Sequence, residues 1–374
     1  MRSEVRTGVR QSAVQQSAAC ALLTLFCVVF LLIGCFENAS SVGAVDRQMG
    51  VNTFVLDSSC SSNGPTIDWA SLANNQVAAI RELGANSIGI EFPVYMSSPT
   101  GSRVFARCAG SPFPQNSPSP KELGVIIDIA HAANLNVFVR PLLAQHNLIP
   151  KWRGNIEPKH KGKWFRTYAQ TLLPYAEMAT EHHVEHFAVA TELSSLNGNA
   201  HWSWVVSALR HSYPNGDLVM TYLASAFGPE VPGTSYGADP YISLKSGDVR
   251  VGNHSNWREL QRAFLHLMPR SPLPLAGMVW DEVGIAASRG ALRAPWKYDF
   301  PSVKFDASIQ AKWFEMVCNI FRKKSLSGVY FQGAVLNQDA GRFPVSDEPN
   351  YPAQIQPESQ AVIRKCFTGE PMEG

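Results

Sequence analysis

Eight short apolar runs rich in β-formers are spaced along the chain, and longer amphipathic segments separate most of them. The runs cover residues 50–56, 87–92, 136–143, 186–193, 218–223, 238–244, 275–280 and 328–333. Helical spacing of apolar residues marks 72–83, 121–133, 164–180, 202–211, 256–267 and 307–323, with a last helix over 360–366. Strands alternating with helices predict βαβ units and a parallel sheet. Eight such strands are the count of a closed (βα)8 TIM barrel, and a chain of 374 residues accommodates one as a single domain. The competing architecture is a doubly wound open sheet, which would carry a glycine-rich phosphate loop after its first strand. Here that strand is followed by Asp57-Ser58-Ser59-Cys60, which excludes a dinucleotide fingerprint.

Charge and cysteine usage narrow the function classes. The formal net charge is +2 and no basic stripe stands out, so nucleic acid is not an expected partner. There is no CxxC pair to suggest zinc, and His182, His183 and His186 read as surface imidazoles in a polar turn. Neither a cofactor nor a metal is expected.

The N-terminus reads as an export segment. Arg2, Arg6 and Arg10 precede an apolar run over residues 18–34, which ends in Leu32-Ile33-Gly34-Cys35. That ending is similar to a bacterial lipobox, with Cys35 as the lipidated residue; an uncleaved signal anchor is the alternative. Either way, residues 1–35 form the signal or anchor, 36–46 a linker and 47–370 the barrel. The domain would lie outside the cytoplasm, secreted or tethered on a surface or periplasmic face, and would meet the membrane only through this anchor. Export permits disulfides. Proximity in the chain favours Cys60–Cys108 and Cys318–Cys366, with free buried thiols the equal alternative.

In a barrel the chemistry sits where the strands end. The ionisable residues there are Glu91, Arg140, Glu192, Asp239, Asp281 and Glu282, with Tyr241 nearby. Glu192 closes the fourth run (HFAVATEL) and Glu282 follows the seventh (LAGMVW). Two carboxyls on facing strand ends are what glycosidic cleavage requires: one protonates the leaving oxygen, and the other attacks the anomeric carbon or activates water. The acid of such a pair needs a raised pKa, while its partner must stay ionised beside donors such as Arg140. Asp281 reads as a structural hydrogen-bond acceptor. Nine tryptophans offer indole faces for sugar rings. Trp164, Trp204 and Trp313 fall within helices and are assigned to packing. Trp152, Trp257 and Trp296 fall in or beside βα loops and are candidate sugar contacts, as is Arg153.

Several motifs in order carry a family resemblance. Val139-Arg140-Pro141, Trp152-Arg153-Gly154-Asn155-Ile156, Trp164, residues 187–194 (FAVATELS) and Trp280-Asp281-Glu282-Val283-Gly284 are joined by Gly290-Ala291 and Ala294-Pro295-Trp296. Over roughly residues 50–367 this pattern resembles glycoside hydrolase family 113, a family of retaining β-1,4-mannan-cleaving (βα)8 enzymes. The resemblance implies Glu192 as acid/base and Glu282 as nucleophile. Tyr241 matches in position the tyrosine that hydrogen-bonds the nucleophile. The chain departs from many members of the wider clan at Thr191, where they carry Asn, and at Phe331-Gln332-Gly333-Ala334, where they place a sugar-stacking Trp. The expected activity is a retaining glycosidase on a poly- or oligosaccharide. The alternative is a surface carbohydrate-binding lipoprotein that kept the barrel and lost turnover. Sugar, linkage, endo or exo action and oligomeric state are not readable.

Overall fold

The computed structural model describes residues 47–55, 67–106, 117–144, 148–240, 254–267, 277–292, 304–323, 326–336 and 354–371. Cys35, Cys60, Cys108, Tyr241 and Trp296 lie outside the described residues, as does the whole expected export segment. Residues 47–374 form one compact unit. Among the described residues no helix is long and apolar enough to cross a membrane.

The strands are β1 (Gln48–Val55), β2 (Ser87–Met96), β3 (Val104–Phe105), β4 (Asn136–Leu143), β5 (His186–Thr191), β6 (Asp217–Leu223), β7 (Ser235–Asp239), β8 (Val279–Val283) and β9 (Gly328–Leu336). The helices are α1 (Trp69–Glu82), α2 (Pro120–Ala132), α3 (Lys161–Glu181), α4 (His201–Ser212), α5 (Trp257–Leu267), α6 (Ala307–Lys323) and α7 (Pro357–Thr368). The strands pair in the order β1-β9-β8-β7-β6-β5-β4-β2, and β1 also pairs with β2. All eight run parallel, so the sheet closes on itself as a (βα)8 barrel. The short β3 is an antiparallel addition to the end of β2. Sequence and structure differ most at β7 and β8. The predicted sixth strand began three residues late, and the seventh stopped before Asp281 and Glu282, which β8 includes.

Local chemistry sets the helix starts. At α2, Ser119 and Glu122 form a reciprocal capping box ahead of Pro120. At α1 the Asp68 carboxylate accepts from the Ser71 N–H at 3.0 Å. The outer layer is held by aromatic packing: Trp164 stacks on Tyr168 and meets Trp202 and Phe165 edge-on. Trp164 and Trp313 are buried as expected. Trp204 is not a packing residue; it is 48% exposed, because its helix position faces water. Cys318 and Cys366 form a disulfide joining α6 to α7.

The barrel interior explains where the site can be. Phe138, Ala188, Val219 and Tyr330 pack together inside it, with Val279 against them. Side chains alternate across a strand with period two, so the next inward position is two residues on. That rule carries Phe138 to Arg140, Val219 to Thr221, Val279 to Asp281 and Tyr330 to Gln332. An apolar plug thus gives way to a polar layer towards the C-terminal strand ends. Gly237 admits this layer: a β-carbon there would stand 1.9 Å from the Asp281 Oδ2.

Candidate active site

Glu192, Asp239 and Glu282 converge at the C-terminal mouth of the barrel. Each places one carboxyl oxygen within 4.8 Å of those of the other two, and all three are buried. Glu192 immediately follows β5, and its N–H donates to the Thr221 carbonyl at 3.1 Å. Its φ of +56° is left-handed, a conformation that costs a non-glycine residue ~1–2 kcal/mol. The β5–β6 register shifts between Ala188 and Ala190, just upstream. A second irregularity shapes the other wall. Trp280 pairs with Val329 but Val283 pairs with Phe331, so Asp281 and Glu282 together oppose Tyr330. Such a bulge re-aims side chains. Strict alternation would send Asp281 and Glu282 to opposite faces, yet Arg140 Nη2 lies 3.9 Å from Asp281 Oδ1 and 3.1 Å from Glu282 Oε2.

Arg140 is the hub. Its Nη1 donates to Glu91 Oε1, and Gln332 Nε2 donates to Glu91 Oε2 at 2.6 Å. Asp281 accepts from Thr221 Oγ1 at 2.6 Å, and its carbonyl accepts from Asn52 Nδ2 at 2.7 Å, which fits the structural role expected of it. Arg153 Nε stands 3.6 Å from Glu192 Oε2. Arg153 sits in the turn Arg153–Asn155, which the Ser195 hydroxyl fastens by donating to the Ile156 carbonyl at 2.7 Å.

Five carboxyls face two guanidiniums in this buried pocket, and the titration reflects it. Burial works against the Arg140 charge, but Glu91, Asp281, Glu282 and Asp239 outweigh it and hold the pKa above its ordinary value. Burial raises Glu91 despite Arg140. Burial, opposed by Arg140 and the Thr221 bond, brings Asp281 to about 6. Glu282 is pushed up to about 8, first by burial, then by the charges of Glu192 and Glu91, against Arg140 and Arg153. Asp239 is raised well above the usual carboxylate range by burial, by a hydrogen bond with Glu192 and by the surrounding carboxylates. Glu282 therefore retains its proton at neutral pH, and Asp239 is held towards its neutral form. The expectation of a fully ionised Glu282 holds only above its raised pKa. Carboxyl oxygens also suit hard cations, but this cluster is the donor set of acid–base chemistry and no ion is assigned to it.

Of the sequence candidates, Glu192, Glu282, Arg140 and Arg153 are brought together. Trp152 immediately precedes the Arg153 turn, its ring lying over Gly154, where a β-carbon would meet it at 1.7 Å. Trp257 is placed elsewhere. Its ring lies 5.4 Å from Lys323 Nζ, at the end of α6 that leads into the start of β9, so it is on the outer layer and remote from the strand ends. Glu91, Asp239 and Gln332 join the site beyond the residues chosen from sequence. The signal for the first two was present: each is an acid late in an apolar strand.

The model of Glycoside Hydrolase Family 113 matches residues 63–336, which spans both glutamates and most of the chain. The chain belongs to glycoside hydrolase family 113. It is a glycosidase built on a (βα)8 barrel. Its fold is similar to that of a GH113 β-mannanase from Alicyclobacillus acidocaldarius in complex with ManMIm, at 17% identity and a TM-score of 0.66, covering 88% of this chain and 100% of the other. A second GH113 β-1,4-mannanase structure is 16% identical, with a TM-score of 0.64, covering 86% and 99%. A β-glucuronidase from an uncultured Clostridium is 12% identical, with a TM-score of 0.52, covering 86% of this chain and 50% of that one. No curated protein sequence matches significantly.

Proposed function

We propose that the protein cleaves β-linked glycans, with β-1,4-mannan the first candidate, by retaining double displacement. The observation that carries this reading is the carboxyl oxygens of Glu192 and Glu282 within 4.8 Å of each other. Retaining enzymes hold their carboxyls ~5–5.5 Å apart, while inverting ones leave ~6.5–9.5 Å for a water. Ionised Glu282 attacks the anomeric carbon as the glycosidic bond breaks, and Glu192 gives its proton to the departing oxygen. Glu192 then takes a proton from water, whose oxygen displaces Glu282 from the same carbon. Arg140 orients Glu282 and stabilises its charge, and Arg153, 3.6 Å from Glu192, orients the acid. Trp152 supplies a flat apolar face beside the entrance. Mannan as substrate rests on the family and on the mannanases that share this fold.

Assay of the purified protein against mannan, glucan, glucuronide and cell-envelope glycans tests the reading, beside Glu192→Gln and Glu282→Gln. Retained anomeric configuration in the first-formed product, and loss of turnover by at least ~100-fold in both variants, are expected. Inverted product, or turnover indifferent to both substitutions, would overturn it. The same proposal places the enzyme outside the cytoplasm, held by a lipid on Cys35 or by an uncleaved anchor. Mass spectrometry of the mature N-terminus distinguishes the two, and an unmodified cytoplasmic chain beginning at Met1 would refute both.

A further inference from the structure

Asp239 is a buried acid at the end of β7 that the two-carboxyl mechanism leaves unused. It is fully enclosed and hydrogen-bonded to Glu192, and its oxygen lies within 4.8 Å of both catalytic carboxyls. Two carboxyls can hydrogen-bond to one another only if a proton lies between them. The charged groups facing Asp239 are Glu192 after β5, Asp281 and Glu282 on β8, and Arg140 on β4. Three of the four are acids, so the surroundings favour the proton remaining there. Thr221 on the adjacent β6 does not offset this, because its hydroxyl is committed to Asp281.

We propose that Asp239 is a positioning residue: a neutral carboxylic acid whose O–H donates to Glu192 and holds it in its left-handed backbone seat. The proposal rests on Glu192 being the acid/base. When Glu192 releases its proton to the leaving oxygen, it becomes a carboxylate. Asp239 keeps its own proton and strengthens its hydrogen bond to the new charge, as charge-assisted bonds are shorter and stronger than neutral ones. No proton is gained or lost at Asp239 over the cycle. The device thus stabilises the charge that develops on the acid, rather than supplying a third group to the sugar.

Asp239→Asn keeps a donor of the same shape and cannot ionise; Asp239→Ala removes the donor. Asparagine is expected to retain kcat within about threefold, with the basic limb of the kcat/KM profile at its wild-type position. Alanine is expected to lose kcat at least about tenfold and to shift that limb. Equal losses in both variants, or a wild-type profile in Asp239→Ala, would overturn the proposal. Infrared spectroscopy reads the proton without substrate: the neutral carboxylic C=O absorption at pH 7, to which Glu282 also contributes, should lose one component in Asp239→Asn. A spectrum unchanged by that substitution overturns the proposal even if no glycan on the panel is turned over. Absent turnover with that component present in the wild type would instead refute the assigned reaction alone. Asparagine is the variant that preserves packing, so the spectroscopic arm does not depend on alanine folding.

Discussion

Arg140 Nη2 lies 3.1 Å from Glu282 Oε2 while Nη1 of the same guanidinium holds Glu91, with all three side chains nearly or wholly shut off from water. One planar fork therefore joins β2, β4 and β8 across the barrel. Replacing it with lysine keeps the charge but cannot serve two carboxyls in one plane. Arg140→Lys is expected to lower kcat/KM ~10–100-fold, because Glu282 is then poorly aimed. Arg140→Ala strands buried acids and should cost about 3–5 kcal/mol of stability. Urea unfolding and steady-state kinetics check the two. A lysine variant with wild-type kinetics would remove the fork from the argument.

The raised pKa of Glu282 makes stability fall as pH rises. The folded state binds a proton more tightly than the unfolded chain does, with about 8 in the fold against an ordinary value near 4.5. Between those values the native state carries the extra proton, so each pH unit of increase removes up to about 1.4 kcal/mol. Glu91 and Asp281 act in the same direction. The contribution is complete below the unfolded value and gone above about 8. Chemical denaturation at pH 5, 6, 7 and 8 is expected to show declining stability, with a shallower slope in Glu282→Gln. An unchanged slope in that variant would mean that Glu282 does not hold the proton.

Gly237 on β7 is expected to be intolerant of alanine. The new β-carbon would stand 1.9 Å from Asp281 Oδ2, so the carboxylate must leave its bond with Thr221. Overpacking of a filled barrel costs ~1–3 kcal/mol. Gly237→Ala should also lose activity, because Asp281 and Glu282 share one bulge and one arginine. Stability measured together with kcat tests this. Full activity in a destabilised variant would uncouple the two acids.

The alternation of apolar runs carried the barrel, because strand and helix periods survive without any knowledge of neighbours. Glu192 and Glu282 were legible for the same reason: an acid closing an apolar run needs a partner. The bulge at Asp281 and Glu282 was not legible. It arises from a two-against-one register with β9, a relation between paired residues 48 or 49 positions apart that no local pattern encodes. A strand predicted from the apolar run alone therefore ends before Asp281. Asp239 is legible in the sequence as an acid but not as a neighbour of Glu192, since that depends on which carboxyl lies across the mouth. Trp257 shows the reverse error. A tryptophan beside an expected βα loop suggests a sugar contact, but the start of α5, where it sits, lies beside the end of α6.

Trp257 can therefore be removed without touching turnover. Its ring is flanked by Arg258 at 4.9 Å and Lys323 at 5.4 Å, and neither cation belongs to the carboxyl pocket. Trp257→Ala is expected to leave kcat and KM on soluble glycans within about twofold. Some stability should be lost, because the ring is partly buried against the core and aromatic truncations in full cores cost ~3–5 kcal/mol at most. In contrast, Trp152→Ala should raise KM. A Trp257 variant with KM raised as much as Trp152→Ala would return it to the binding site.

The Cys318–Cys366 bond is the last device with a measurable weight. It ties α6 to α7 across a separation of 48 residues, and both cysteines are buried. Closing a loop of that size removes conformational freedom from the unfolded chain, by ~4 kcal/mol in the chain-entropy treatment. Removing a native bond commonly costs ~2–5 kcal/mol. Cys318→Ser with Cys366→Ser is expected to lower the denaturant midpoint accordingly and to leave the pocket intact, since neither helix supplies a carboxyl to it. Thermal or urea unfolding of the oxidised, reduced and double-serine proteins tests this. Reduced and double-serine forms as stable as the oxidised one would show that burial of the two sulfurs, rather than the covalent bond, holds α7 in place.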